Sequence, residues 1–131
     1  MKARVCLLLF LAAMLPPLLA GCQRLNDERT FTIPPLAIQL IEYSEPRYQQ
    51  KVTIHISSPG APVTAYLVPA KDKDEAQKQM DNNKAPAAPL AGKEKAEEIT
   101  LEATVPAKTA FVLMVRADKK KAEVHIKTTG R

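Results

Sequence analysis

The chain has 131 residues and contains no tryptophan, four glycines and two cysteines, and the shortages narrow what it can do. Both cysteines, Cys6 and Cys22, lie in the first 22 residues. Beyond them the chain can form no disulfide, carry no thiol nucleophile and ligate no metal through sulfur. There is no Gly-x-Ser-x-Gly elbow, no phosphate-cradling glycine loop and no His-Glu-x-x-His pair, so the common signatures of hydrolases, nucleotide enzymes and zinc proteases are missing. No enzymatic activity, metal or cofactor is therefore expected. Without tryptophan, the aromatic platform that many sugar-binding faces use has to be built from tyrosine. The excess of positive charge is small, +5 over the whole chain, and does not call for a nucleic-acid partner.

What is present begins at the N-terminus. Lys2 and Arg4 precede 16 residues, Val5 to Ala20, that are all apolar or proline, which is the layout of a secretory signal peptide. A membrane-spanning anchor would need about 20 apolar residues, and Pro16 and Pro17 interrupt this shorter run near its end. An ordinary signal cut after Ala20 would place Leu18, a large residue, where a small one is expected. The run closes instead on Leu19, Ala20, Gly21 and Cys22. That quartet resembles the lipobox of bacterial lipoproteins. The resemblance implies that a diacylglycerol is attached to the Cys22 sulfur and that the chain is cut just before it.

On that reading residues 1–21 are a signal peptide, 22–29 a lipidated N-terminus and tether, and 30–131 a single domain. Cleavage leaves 110 residues and removes Lys2 and Arg4 from the 19 basic residues, so 17 face 14 acidic ones and the net charge becomes +3. A domain of this size buries roughly 65 per cent of its unfolded surface. Acyl chains contribute about 0.8 kcal/mol per buried methylene, so two or three of them fix a protein to a membrane. The partner implied first is thus membrane lipid, with the domain on the periplasmic side of the envelope. In lipoprotein sorting an aspartate after the cysteine retains the protein in the inner membrane; Gln23 at that position favours the outer one. The polar stretch Gln23 to Arg29 would reach at most about 25 Å.

The rest of the chain alternates apolar and polar residues with the period of a β-strand. Val52, Ile54 and Ile56 share one face and Thr53, His55 and Ser57 the other. Ser58 to Pro62 forms a turn before Val63 to Val68. Ile99, Leu101, Ala103 and Val105 alternate with acids and threonines, and Ala122, Val124 and Ile126 repeat the pattern near the end. Ala110 to Val115 is apolar on both faces and reads as a central strand covered on two sides. Leu36, Ile38 and Leu40 suggest a first strand whose start Pro34 and Pro35 confine to an edge. Asp72 followed by Glu75 suggests a capped short helix running to about Asn82 and burying Ala76 and Met80. Lys84 to Gly92 reads as a loop. Six or so short strands with one inserted helix predict a mainly β fold, a small antiparallel β-sandwich, with a closed barrel as the alternative.

The stretch from Pro106 through Val115 to Ile126 resembles the closing strands of bacterial prepeptidase C-terminal β-sandwiches, with Lys108, Thr109, Ala110 and Phe111 standing where that family has Gly-Thr-Tyr. The resemblance implies an accessory or adhesive module with no catalytic residues to carry over.

Three groups remain as candidate sites. His55 and His125 lie in similar short segments on polar strand faces and would form a two-ligand pair if their strands are neighbours, although a stable metal site needs three or four ligands. His55 also shares a face with Ser57, a pairing that becomes catalytic only with the right geometry and a third group. Tyr43, Arg47 and Tyr48 flank a polar loop and form the candidate contact patch. Lys119, Lys120 and Lys121 read as a solvated turn, or as a contact for anionic lipid. The expected function is a structural or protein-interaction module with an envelope protein partner. The alternative is a binder of envelope carbohydrate or another ligand at the Tyr43 to Tyr48 loop.

Overall fold

A computed structural model describes residues 25–131. The signal segment 1–21, with Leu19, Ala20 and Gly21 of the cleavage quartet, and Cys22 and Gln23 lie outside the described residues. The fold is a sandwich of two four-stranded antiparallel sheets with one short helix. The strands in chain order are β1 (Leu25–Ile33), β2 (Ile38–Tyr43), β3 (Gln50–Ser57), β4 (Val63–Pro69), β5 (Ala91–Ala96), β6 (Glu98–Val105), β7 (Phe111–Ala117) and β8 (Ala122–Gly130). A 3-10 turn, Ala70–Asp72, leads into helix α1, Lys73–Asp81, between β4 and β5. One sheet runs β1-β8-β3-β6 and the other β2-β7-β4-β5.

The alternating residues of β3, β6 and β8 point their apolar sets inward, where Val52, Ile54, Ile56, Ile99, Leu101, Val124 and Ile126 meet Phe111, Leu113 and Val115 of the opposite sheet. β7 is apolar on both faces because both are covered. Its outward Val112 and Met114 join Tyr66 and Val68 beneath Ala76 and Met80 of α1, a second core outside the sandwich. Burying a side chain such as Met80 contributes about 1.5–3 kcal/mol, which holds the helix to the sheet.

Four elements depart from the expectation. β1 begins at Leu25, inside the stretch 22–29 read as a tether and before the expected domain start at 30, and it pairs residue for residue with β8 from Leu25↔Gly130 to Ile33↔Ala122. Its alternation is disguised because Asp27 and Arg29 fall between Leu25 and Phe31 on the same side and bond each other at 2.8 Å on the sheet edge. β2 starts at Ile38 and runs to Tyr43: Ile38 and Leu40 lie under the helix, and Ile41 and Tyr43 carry the inward face. β5 begins within the expected loop Lys84 to Gly92. Asp72 occupies the N-cap but makes no side-chain cap bond, because the chain enters the helix through the 3-10 turn.

The helix ends in a Schellman motif. Asn83, at φ 58°, donates its N–H to the Met80 carbonyl at 2.9 Å, and Lys84 donates to Gln79 at 2.8 Å. This turn sets Asn83 and Lys84 beside the C-terminal part of β7.

Candidate functional site

The Tyr43, Arg47 and Tyr48 patch divides in the structure. Tyr43 is 7% exposed; its ring stacks on Phe111 with centroids 4.9 Å apart, and its hydroxyl is 2.7 Å from the buried Thr128 hydroxyl. Burial raises the Tyr43 pKa above its ordinary value. As the last inward residue of β2 it joins the two sheets, so it is not part of a contact patch. Arg47 and Tyr48 remain on the surface, with Tyr48 78% exposed.

The two histidines do lie on neighbouring strands. β3 pairs with β8 so that Ser57 stands opposite His125 and His55 opposite Lys127, which places the histidines diagonally on the open polar face of the first sheet. They are engaged separately. His55 Nδ1 is 3.1 Å from Thr100 Oγ1, whereas His125 Nε2 is 2.8 Å from Glu28 and its Nδ1 3.3 Å from Thr30. Among the described residues no three His, Cys, Asp or Glu side chains are grouped to hold an ion. Ser57 donates to Glu98 at 2.7 Å, while His55 turns to Thr100, so the two do not form a nucleophile and base pair. Lys119, Lys120 and Lys121 lie in and beside the connection from β7 to β8.

A site that the sequence reading missed lies on the other sheet, where the C-terminal turn of α1 overhangs β4, β5 and β7. It is a cleft of about 150 Å³ lined by Thr64, Tyr66, Asn83, Lys84, Glu94 and Arg116, with Lys95 and Met80 completing the wall. Arg116 closes the apolar run of β7 and stands between Ile38 and Thr64 on the outer face. Its Nη1 donates to Asn83 Oδ1 at 3.0 Å, and its Nε is the one buried side-chain nitrogen or oxygen without a hydrogen-bond partner among the described residues. No carboxylate among them lies within salt-bridge distance of this guanidinium. Leaving such a donor unsatisfied costs about 1–3 kcal/mol.

The cleft wall is built by local irregularity. β5 carries an extra residue against β4 between the pairs Val63↔Ala96 and Ala65↔Lys93, and Lys95 sits in this bulge at φ 48°, donating its N–H to Thr64 Oγ1 at 3.2 Å. Three residues earlier along β5, Gly92 lets the Tyr66 ring lie flat on the backbone; a Cβ there would overlap ring carbons Cδ1 and Cε1. So placed, the Tyr66 hydroxyl donates to Glu94. Burial, with the Glu94 carboxylate beside it, pushes the Tyr66 pKa up, which keeps the hydroxyl protonated. The cleft thus offers three cations against one carboxylate already engaged by tyrosine, a lining suited to an incoming acidic group. Arg116 left a signal in the sequence: it is the one charge in the run from Phe111 to Ala117. Nothing there showed that the helix end would reach it.

No protein-family model matches the chain, and no curated protein matches it in sequence. In three dimensions it is similar to the mitogen derived from Yersinia pseudotuberculosis, with a TM-score of 0.56 and 9% identity over 79% of this chain and 84% of that one. The periplasmic inhibitor of g-type lysozyme from Aeromonas hydrophila gives a TM-score of 0.56 and 10% identity over 89% and 95%. The prepeptidase C-terminal domain of a Bacillus anthracis collagenase gives 0.55 and 14% over 79% and 89%; it is the β-sandwich type to which Pro106 to Ile126 bears a sequence likeness. Identities this low establish a shared fold and nothing further.

Proposed function

We propose that the chain is a bacterial envelope lipoprotein, anchored through acylated Cys22 on the periplasmic side, whose β-sandwich is a non-catalytic module that binds an envelope protein by an acidic group of that partner. The observation that carries the binding role is Arg116, a guanidinium in a cleft with a buried Nε–H that nothing in the domain satisfies. A carboxylate is the group that a planar guanidinium fork pairs with most closely. The anchor rests on the Leu19 to Cys22 quartet, and Gln23 favours the outer membrane. Among the described residues no helix is long and apolar enough to cross a membrane. The separate engagement of His55 and Ser57 supports a module without catalysis. The same sandwich fold serves in the Aeromonas protein as a periplasmic lysozyme inhibitor, a role exercised on another protein.

The carbohydrate reading of the Tyr43 to Tyr48 loop loses Tyr43 to the core and keeps only Arg47 and Tyr48, so the cleft is the better supported contact. Crosslinking in intact envelopes followed by recovery of the chain tests this. One protein recovered in fixed proportion, and lost with Arg116→Gln but kept with Lys120→Gln, is the expected result. Equal recovery with Arg116→Gln overturns the role of the cleft. Intact-mass spectrometry of the membrane-extracted chain beside a Cys22→Ala variant tests the anchor, which fails if the mature chain carries no acyl mass.

A further inference from the structure

One end of the sandwich gathers several exposed cations and an exposed aromatic ring, and it is the end from which the chain leads back to Cys22. Leu25 pairs with Gly130, Gly130 with Val52, and Gln50 with Val105, so the starts of β1 and β3 and the ends of β6 and β8 lie together. Lys51 and Arg131 exchange backbone hydrogen bonds of 2.8 and 3.0 Å there. The loop 44–49 leads into β3 at this end and the loop 106–110 leaves β6 at it; Lys108 donates its N–H to the Pro46 carbonyl at 2.8 Å, which ties the two loops together. Arg47, Lys51, Lys108 and Arg131 are all exposed, with Glu45 as the acid of the same loop, and Tyr48 stands 78% exposed among them.

We infer that this end, led by Tyr48 and these four cations, rests on the anionic headgroups of the membrane that holds the protein. The inference builds on the anchoring of Cys22 proposed above. Leu25 is three residues from Cys22, so its Cα lies at most about 11 Å from that of Cys22. Because β1 is locked into the sheet from Leu25 onward, an acylated Cys22 brings this end of the domain to the lipid and leaves it no long tether on which to turn away. Tyrosine is suited to that depth, with a ring that prefers the apolar side of the interface and a hydroxyl that stays wet. Long basic side chains reach headgroup phosphates in the same layer, each improving binding to an anionic surface by roughly fivefold. Lys119 to Lys121 lie at the other end of β8, roughly 27 Å away by strand rise, and face away from the bilayer in this orientation.

Because the chain has no tryptophan, Tyr48→Trp introduces a single reporter, and Lys120→Trp supplies the matching reporter at the far end. Each full chain is reconstituted in vesicles of phosphatidylethanolamine and phosphatidylglycerol whose acyl chains carry bromine, after its acyl mass has been checked. The inference expects emission from position 48 to be blue-shifted and quenched at least about threefold more than emission from position 120, with the difference shrinking when zwitterionic lipid replaces phosphatidylglycerol. An acylated chain that shows equal quenching at both positions overturns it while leaving the anchor standing. If the mass shows no acyl chain, the anchoring reading falls on its own. The same two chains added from solution then decide the inference: selective quenching at position 48 on the anionic vesicles sustains it, and no quenching overturns it.

Discussion

Replacing Thr128 with valine should cost the domain more than replacing Thr128 and Tyr43 together. The two hydroxyls are 2.7 Å apart, Thr128 is fully buried and Tyr43 nearly so, and the bond runs between the end of β8 in one sheet and the end of β2 in the other. Thr128→Val leaves the tyrosine hydroxyl facing a methyl group, and Tyr43→Phe leaves the threonine hydroxyl facing a ring edge. Each buried group that loses its partner costs about 1–3 kcal/mol. With both changes two apolar groups of nearly the same shape meet where two hydroxyls met, and the net cost falls toward zero. The stacking of ring 43 on Phe111, worth about 0.5–1.5 kcal/mol, is kept in the phenylalanine variant and cancels from the comparison.

Thermal and urea unfolding of the four proteins by circular dichroism gives the coupling directly. For a domain of this size 1 kcal/mol moves Tm by about 4–8 °C, so each single variant should melt roughly 5–15 °C lower and the double variant within a few degrees of the parent. With the double loss near zero, the expected coupling is the sum of the two single losses, about 2–6 kcal/mol. If the double variant loses the sum of the two single losses, the hydroxyls do not support each other and the account of Tyr43 as the tie between sheets is wrong. The result also decides how Tyr43→Ala is to be read in any binding assay, since a variant that empties this part of the core by about 3–5 kcal/mol reports unfolding before it reports contact.

Gly92→Ala should destabilise the domain by about 1–3 kcal/mol, because the new methyl overlaps the buried Tyr66 ring; an unchanged urea midpoint would show that the ring has room to move. Tyr66 and Tyr43 both have pKa values raised in the fold, so the unfolded chain ionises first, and the stability they contribute is complete below about pH 10 and lost as pH rises through the folded values. Tyr66→Phe should therefore show a smaller fall in urea midpoint between pH 9 and pH 11 than the parent, on the unfolded tyrosine pKa of about 10. Lys108 is exposed at φ 60°, and Lys108→Asn should raise stability by about 0.5–1 kcal/mol, since asparagine tolerates the left-handed region at lower cost; a lower Tm would contradict this.

How much of the sandwich was legible depended on how each strand is buried. β3, β6 and β8 are half-buried along their length, so Val52 to Ile56, Ile99 to Val105 and Ala122 to Ile126 announce themselves by alternation. β7 was legible as covered on both sides, though the covering helix could be placed over it only by the fold. β1 and β5 were hidden for opposite reasons. β1 has its alternating face, but Asp27 and Arg29 occupy it at an edge where each satisfies the other. β5, Ala-Gly-Lys-Glu-Lys-Ala, has no large apolar residue, because as a bulged edge strand it gives the core only its two alanines. Tyr43 and Tyr48 are the same residue type five positions apart. Their fates separate because β2 continues through Ile41 to Tyr43, whereas Tyr48 follows Pro46 in the loop beyond.

The cleft was illegible because no single segment contains it. Arg116, Asn83, Tyr66 and Glu94 come from β7, the helix terminus, β4 and β5, and they meet because α1 starts beside Phe111 and runs back along the sheet. Pro69 pairs with Phe111 at one end of β7, Ala70 donates to the Ala110 carbonyl, and the helix then advances about 14 Å, which brings Asn83 level with Arg116 near the other end. The direction of the helix therefore separates two surfaces. The end of the sandwich that gathers Tyr48, Lys51 and Arg131 is the end at which β1 begins, and the helix carries the Arg116 cleft toward the opposite one. A partner that reaches Arg116 would approach from the side away from the lipid, and the polar face of the first sheet lies on the opposite side of the sandwich from the cleft. Extending the segment between Cys22 and Leu25 with a flexible linker should then leave recovery of the partner intact while abolishing the contrast between lipid quenching at positions 48 and 120. Loss of both together would mean that membrane contact and partner binding share one surface, and the separation argued from the course of α1 would be wrong.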